Sequence, residues 1–141
     1  YTDEKGEQKM PWVIHRAIFG SFERFIGVLL EHTGGALPLW LSPVQVSVLP
    51  ISDKQNEWAQ KVCEELKKNG LRAELNLDNE TLGKKIRASE MQKTPYLLVI
   101  GEKEVEAKSV AVRQRGKGDM GQMELGKFIS QIQKEVSKKT L

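Results

Sequence analysis

The run Tyr96-Leu-Leu-Val-Ile-Gly101 decides the fold. Apolar residues without alternation describe a strand covered on both faces, as in a parallel sheet with helices above and below. Upstream, Thr81 to about Lys93 predicts a basic helix, and Leu71 to Leu77 alternates as a strand. Asp53 to Asn69 predicts a helix with Trp58, Ala59, Val62, Cys63 and Leu66 facing inward, closed by Gly70. Val44, Val46 and Val48 share one face of a further strand, with Pro50 near its end. Downstream, residues 102–108 read as a charged turn, Ser109 to Arg115 as a strand and Gly116 to Gly121 as a loop. Glu124 to Lys139 predicts a final amphipathic helix on Phe128, Ile129, Ile132 and Val136. The order β-α-β-α-β-β-α is that of an α/β layer fold, a mixed sheet flanked by helices.

Residues 1–43 have a different character. Tyr1 to Met10 is polar around Gly6, like a hairpin tip, and Trp12 to Phe19 reads as a strand. From Phe22 the apolar positions shift to helical spacing, through Phe25, Ile26, Leu29 and Leu30. Ser21 suits the N-cap, Glu23 suits the positive end of the helix dipole, and Gly34-Gly35 stop the helix. One strand and one helix cannot bury their own apolar faces, so a further surface is expected to cover them. Ala36 to Pro43 is a linker with two prolines, and the boundary is placed at about residue 43.

The chain has 141 residues, 39% hydrophobic and 29% charged, enough for an ordinary core and too patterned for disorder. No apolar run reaches the ~18 residues of a membrane helix. The single cysteine excludes an internal disulfide and a cysteine metal cluster, and points to a reducing, cytoplasmic setting. Charge is unevenly placed: residues 84–117 hold nine basic and four acidic side chains. Such a stripe favours an anionic partner.

Several local patterns have plain explanations. Gly116-Lys-Gly118-Asp-Met-Gly121 matches the dinucleotide fingerprint, but no strand ending in an acidic residue follows about twenty residues on. It is read as a loop. Cys63, between Ala59 and Leu66 on the inner face, is inert packing. Arg113 and Arg115 lie two apart on a strand and project to one face. With Lys84, Lys85, Arg87, Lys93 and Asn79 nearby, they supply groups that read base edges and phosphates on single-stranded RNA.

Gly20-Ser-Phe-Glu-Arg24-Phe-Ile-Gly resembles motif 3 of the class II aminoacyl-tRNA synthetases. The longer run Pro11 to Gly27 resembles the threonyl-tRNA synthetase family in particular. So do Leu39-Trp-Leu-Ser-Pro-Val-Gln-Val, Asn79 with Gly83-Lys-Lys-Ile-Arg87, and Lys103-Glu-Val-Glu through Val110-Ala-Val-Arg113. The resemblance covers nearly the whole chain. It implies the end of a class II catalytic domain over 1–43, a strand–helix remnant, followed by an anticodon-binding domain over 44–141.

The resemblance also implies roles. Arg24 matches the motif 3 arginine that contacts ATP phosphate, the catalytic position of this segment. Ser21 matches a position lining the threonine pocket, and His15 matches one of three zinc ligands. Asn79, Glu104 and Arg113 match positions that contact anticodon bases, and Arg87 a basic position on that surface. Lys93 stands where relatives carry arginine, and Thr81 where some carry lysine. The whole enzyme, by this resemblance, joins L-threonine to tRNA(Thr) through a threonyl-adenylate, using ATP with magnesium and a bound zinc, as a homodimer. The present segment, without motifs 1 and 2 and two zinc ligands, is expected to be inactive alone. Prolyl, glycyl and histidyl synthetases share this domain type, and a non-catalytic accessory module is the other alternative. His15 at its spacing from Ser21 and Arg24 favours the threonyl group.

Overall fold

The computed structural model describes residues 1–139. Its centre is a five-stranded sheet in the order β2-β1-β3-β4-β5. The strands are β1 (Val46–Pro50), β2 (Ala73–Leu75), β3 (Tyr96–Ile100), β4 (Ser109–Gln114) and β5 (Gly118–Glu124). β1 runs parallel to β2 and β3, whereas β4 and β5 continue the sheet antiparallel. The helices are α1 (Phe22–Thr33), α2 (Asn56–Lys68), α3 (Leu82–Met91), α4 (Glu102–Glu106) and α5 (Leu125–Lys138). A mixed sheet flanked by helices is the architecture expected from the sequence.

The crossover β1–α2–β2 moves to one side of β1 and β2–α3–β3 returns past it to the other. Right-handed crossovers in opposite directions place α2 and α3 on opposite faces. On the first face Val46, Val48, Tyr96, Leu98, Ile100, Val110 and Val112 meet Ala59, Val62 and Leu66 of α2 and Phe128 and Ile132 of α5. Cys63 is part of this core, as its spacing predicted, and burial is the main influence raising its thiol pKa. Ser47, Leu49 and Leu97 alternate to the second face, where α3 packs on β1.

Four expectations are corrected. Trp12 to Phe19 forms no strand, because nothing among the described residues pairs with it; Trp12 is fully exposed. Residues 102–106 form α4 rather than a turn. Most of the glycine-rich segment read as a loop is β5, the exposed edge strand. The helix read from Asp53 begins as a 3-10 turn over Asp53–Gln55 before α2. Other details stand as read. Gly6 turns a small hairpin closed by a Thr2–Gln8 bridge, and Ser21 Oγ accepts the Arg24 N–H at 3.3 Å as the N-cap of α1.

No residue of α1 is buried. The linker behind it, by contrast, is woven onto the sheet. Leu39 lies in the core. Arg72 donates from Nε to the Ser42 carbonyl and from Nη2 to that of Trp40, both at 2.9 Å. Gln45 Nε2 donates to the Leu39 carbonyl at 3.0 Å.

Candidate nucleic-acid interface

Three helices end with the same hydrogen-bond pattern, and the third departs in one residue. After α1, Gly34 N–H donates to Glu31 and Gly35 N–H to Leu30. After α2, Gly70 N–H donates to Lys67 and Leu71 N–H to Leu66. After α3, Lys93 N–H donates to Glu90 and Thr94 N–H to Ser89. This closure needs a left-handed residue, and glycine fills it twice, at φ 57° and 77°. Lys93 fills it the third time at φ 59°, where a side chain carries a steric cost. Lys108 after α4 and Lys139 after α5 also stand at positive φ, 48° and 49°, so Lys93 is set apart by its place beside a cleft and not by its backbone alone.

The strain sits at a cleft. Lys93, Thr94 and Glu90 from the end of α3, Leu97 from β3, and Arg113, Gln114 and Arg115 from β4 and its exit line a depression of about 450 Å³. Arg113 pairs with Leu97 across the ladder and therefore shares its face of the sheet. The β4–β5 register shifts between Val112 and Arg113, where Met120 is the extra residue on β5. Arg113 Nε is buried without a hydrogen-bond partner among the described residues.

Arg115, read with Arg113 as a free guanidinium, is already engaged. It donates to the carbonyls of Lys93, of Leu37 at 2.7 Å and of Ala36 at 3.3 Å. It shares the cleft but is held as part of its frame.

At the other end of the sheet a second depression of about 380 Å³ lies between the carboxyl ends of β1 and β3. Its walls are Ile51, Ser52, Gln55 and Gly101 to Glu104. Glu104 Oε2 accepts the Gly101 N–H at 3.0 Å, which fixes the first turn of α4. A Cβ on Gly101 would stand 2.8 Å from that oxygen and 3.0 Å from Ile51 Cδ1, so a larger residue would displace the Glu104 or Ile51 side chain. Beneath lies Lys85, buried, with Nζ donating to the Pro50 carbonyl at 3.2 Å. It serves the α3–β1 contact and is not a surface cation.

The expected base-contacting residues thus divide between two ends. Lys93 and Arg113 share the first cleft and Glu104 borders the second. Asn79, in the loop after β2, and Arg87, on α3, are exposed and belong to neither. The helix between the two ends is about 15 Å long at 1.5 Å per residue. His15, Ser21 and Arg24 lie apart on the exposed N-terminal segment. No group of three His, Cys, Asp or Glu lies together among the described residues, so His15 has no companions for a zinc site. The strain at Lys93 and the framing role of Arg115 were not read from the sequence. A lysine directly after a helix and before Thr94-Pro95, where glycine usually closes, was the available signal for the first.

The model of the anticodon binding domain matches residues 45–135. The threonine–tRNA ligase of Carboxydothermus hydrogenoformans is 50% identical over 139 residues, 99% of this chain and 22% of that protein. That of Desulforamulus reducens is 49% identical over all 141 residues, again 22% of its length. The chain therefore spans about a fifth of these curated relatives. The RNA-binding domain of threonyl-tRNA synthetase from Cryptosporidium parvum superposes with a TM-score of 0.78 at 41% identity, covering 84% of this chain and 30% of that one. A prolyl-tRNA synthetase from the same organism, solved with halofuginone and AMPPNP, gives 0.71 at 28% identity, covering 82% of this chain and 26% of its own.

Proposed function

This chain belongs to the anticodon binding domain family, and on that premise we propose that it recognises the anticodon of tRNA(Thr) as the C-terminal part of a threonine–tRNA ligase. One observation carries the reading: a cleft in the matched region joins a strained Lys93 to an Arg113 whose Nε has no partner. Such groups suit anticodon bases splayed out of their stack. A guanidinium fork matches the O6 and N7 acceptors of guanine, the second base of the threonine anticodon. Glu104, at the second depression, and the exposed Asn79 and Arg87 are assigned to the neighbouring bases and phosphates; uracil is the third base. Identity near 50% to threonine–tRNA ligases, against 28% to the prolyl enzyme, favours the threonyl assignment.

In the whole protein we assign Arg24 to ATP phosphate, where a guanidinium stabilises charge during adenylate formation. Ser21 would line the threonine pocket and His15 would supply one zinc ligand. The rest of that site, the magnesium–ATP site and the homodimer surface belong to sequence outside this chain. On this reading the protein works in the cytoplasm. No helix among the described residues is long and apolar enough to cross a membrane. The division at about residue 43 separates the two roles, although residues 36–42 pack on the second unit.

The test is a titration at fixed salt against two anticodon stem-loops, one with the threonine anticodon and one with its second and third bases exchanged. A preference of tenfold or more supports the reading, and equal affinity removes it. Arg24→Ala should leave both affinities unchanged. Threonine-dependent ATP–pyrophosphate exchange by the purified chain would contradict the expected inactivity of this segment.

A further inference from the structure

Arg115 gathers carbonyls from two distant stretches. Ala36 and Leu37 lie in the linker directly behind α1, and Lys93 is the left-handed residue that closes α3. The backbone N–H of Arg115 also donates to the Pro95 carbonyl at 2.9 Å, so main chain and side chain clasp the same turn. No carboxylate lies within ion-pair distance of Arg115 among the described residues. A guanidinium can do this because its donors are fixed in a planar fork; an ammonium is a point charge without that geometry.

Arg72 supplies a contrast within the same molecule. It grips the same linker further along, at Trp40 and Ser42, but lines neither depression. Two arginines thus anchor the linker, and only one of them also holds the base-facing turn.

We propose that Arg115 is a positioning residue for base recognition, tying the linker behind α1 to the strained turn of Lys93 so that the two keep one fixed relation. The inference rests on the reading of this cleft as a base-binding site. Whatever displaces residues 36–37 then moves the Lys93 carbonyl and the mouth of the Arg113 cleft with it. The linker is the covalent route from the segment carrying Arg24 to the anticodon surface, so Arg115 joins base recognition to the position of that segment.

The experiment compares the full chain with R115Q, R115K and R72Q. Amide exchange is followed at Ala36, bonded to Thr33, and at Lys93 and Thr94, bonded to Glu90 and Ser89. Each protein is also titrated against the threonine anticodon loop and the base-exchanged loop. R115Q should speed exchange about tenfold at Ala36 and Thr94 together and reduce base preference at least threefold. R115K should fall between R115Q and the parent, and decides the matter if R115Q does not fold by circular dichroism. R72Q should stay within twofold of the parent in base preference and in exchange at Lys93 and Thr94. Faster exchange at only one of the two segments, at neither, or equally in R72Q overturns the proposal. A parent chain without base preference defeats the anticodon reading instead, and the exchange pattern still decides whether Arg115 couples the two segments.

Discussion

Replacing Lys93 with glycine should make the protein more stable and worse at binding. Lys93 closes α3 at φ 59°, the role that Gly34 and Gly70 play for α1 and α2 at φ 57° and 77°. A side chain in this region costs roughly 1–2 kcal/mol. Part of that gain is offset because glycine has more freedom to lose on folding, about 0.5–1 kcal/mol. The net is a gain of about 1 kcal/mol, or about 3–5 °C in melting temperature for a chain of this size. The backbone carbonyl held by Arg115 survives the change. Binding should move the other way. Loss of an exposed cation at the rim of the cleft should weaken the anticodon loop by about fivefold, near 1 kcal/mol. It should also flatten the plot of log affinity against log salt by about 0.7, the value for one phosphate on a single strand. Differential scanning calorimetry and titration at three salt concentrations read both quantities. A lower melting temperature, or unchanged affinity and slope, refutes the link between backbone strain and recognition.

Arg113→Met keeps the stem and removes the unpaired buried Nε donor; its melting temperature should hold or rise while affinity for the threonine loop falls by about 1–3 kcal/mol. A marked loss of thermal stability with affinity intact would make Arg113 structural. Leu66→Ala, at a fully buried position on α2, should cost about 2–5 kcal/mol and shift the urea midpoint without affecting base preference. Above pH 8 the protein should lose stability. Burial holds the Cys63 thiol and the Tyr96 hydroxyl, the latter also facing Glu135, at raised pKa values. The fold favours their neutral forms, so their stabilisation is complete below the ordinary values of about 8.5 and 10, and is lost as pH rises past them. Tyr96→Phe should show a shallower fall in melting temperature above about pH 10 than the parent; identical slopes would contradict this.

Most of the elements legible in the sequence were those whose side chains meet the core; α1 was legible from its apolar spacing although none of its residues is buried. β1, β3, α2 and α5 each bury an apolar face, and burial imposes the period that a reader can count. α4 was missed because only Val105 turns toward the core, while its start is set by one local bond from Gly101 to Glu104. β5 was missed because an edge strand needs no apolar face and its two glycines, with Gly116 before them, imitate a loop. Trp12 to Phe19 misled in the opposite sense: its residues suit a strand, but a strand exists only beside another. The candidate site follows the same division. Residue types announced a basic surface, and the resemblance supplied positions within it. Which cations are free was decided by contacts distant in sequence. Arg115 meets Ala36 and Leu37, and Lys85 meets Pro50, through the tertiary structure alone.

The two margins of the sheet bear on how the protein behaves at high concentration. β2 is three residues long with Glu74 facing outward, and β5 holds Gly118 and Gly121 at φ 79° and 81° beside the bulge at Arg113. Neither offers the long, flat row of unpaired amides on which a second molecule stacks to begin a fibril. Self-association, where it occurs, should instead start from Trp12, Ile14, Ile18, Phe19 and Phe22, all exposed at the other end of the chain. Polar substitutions for solubility belong on that segment, and the sheet margins need none.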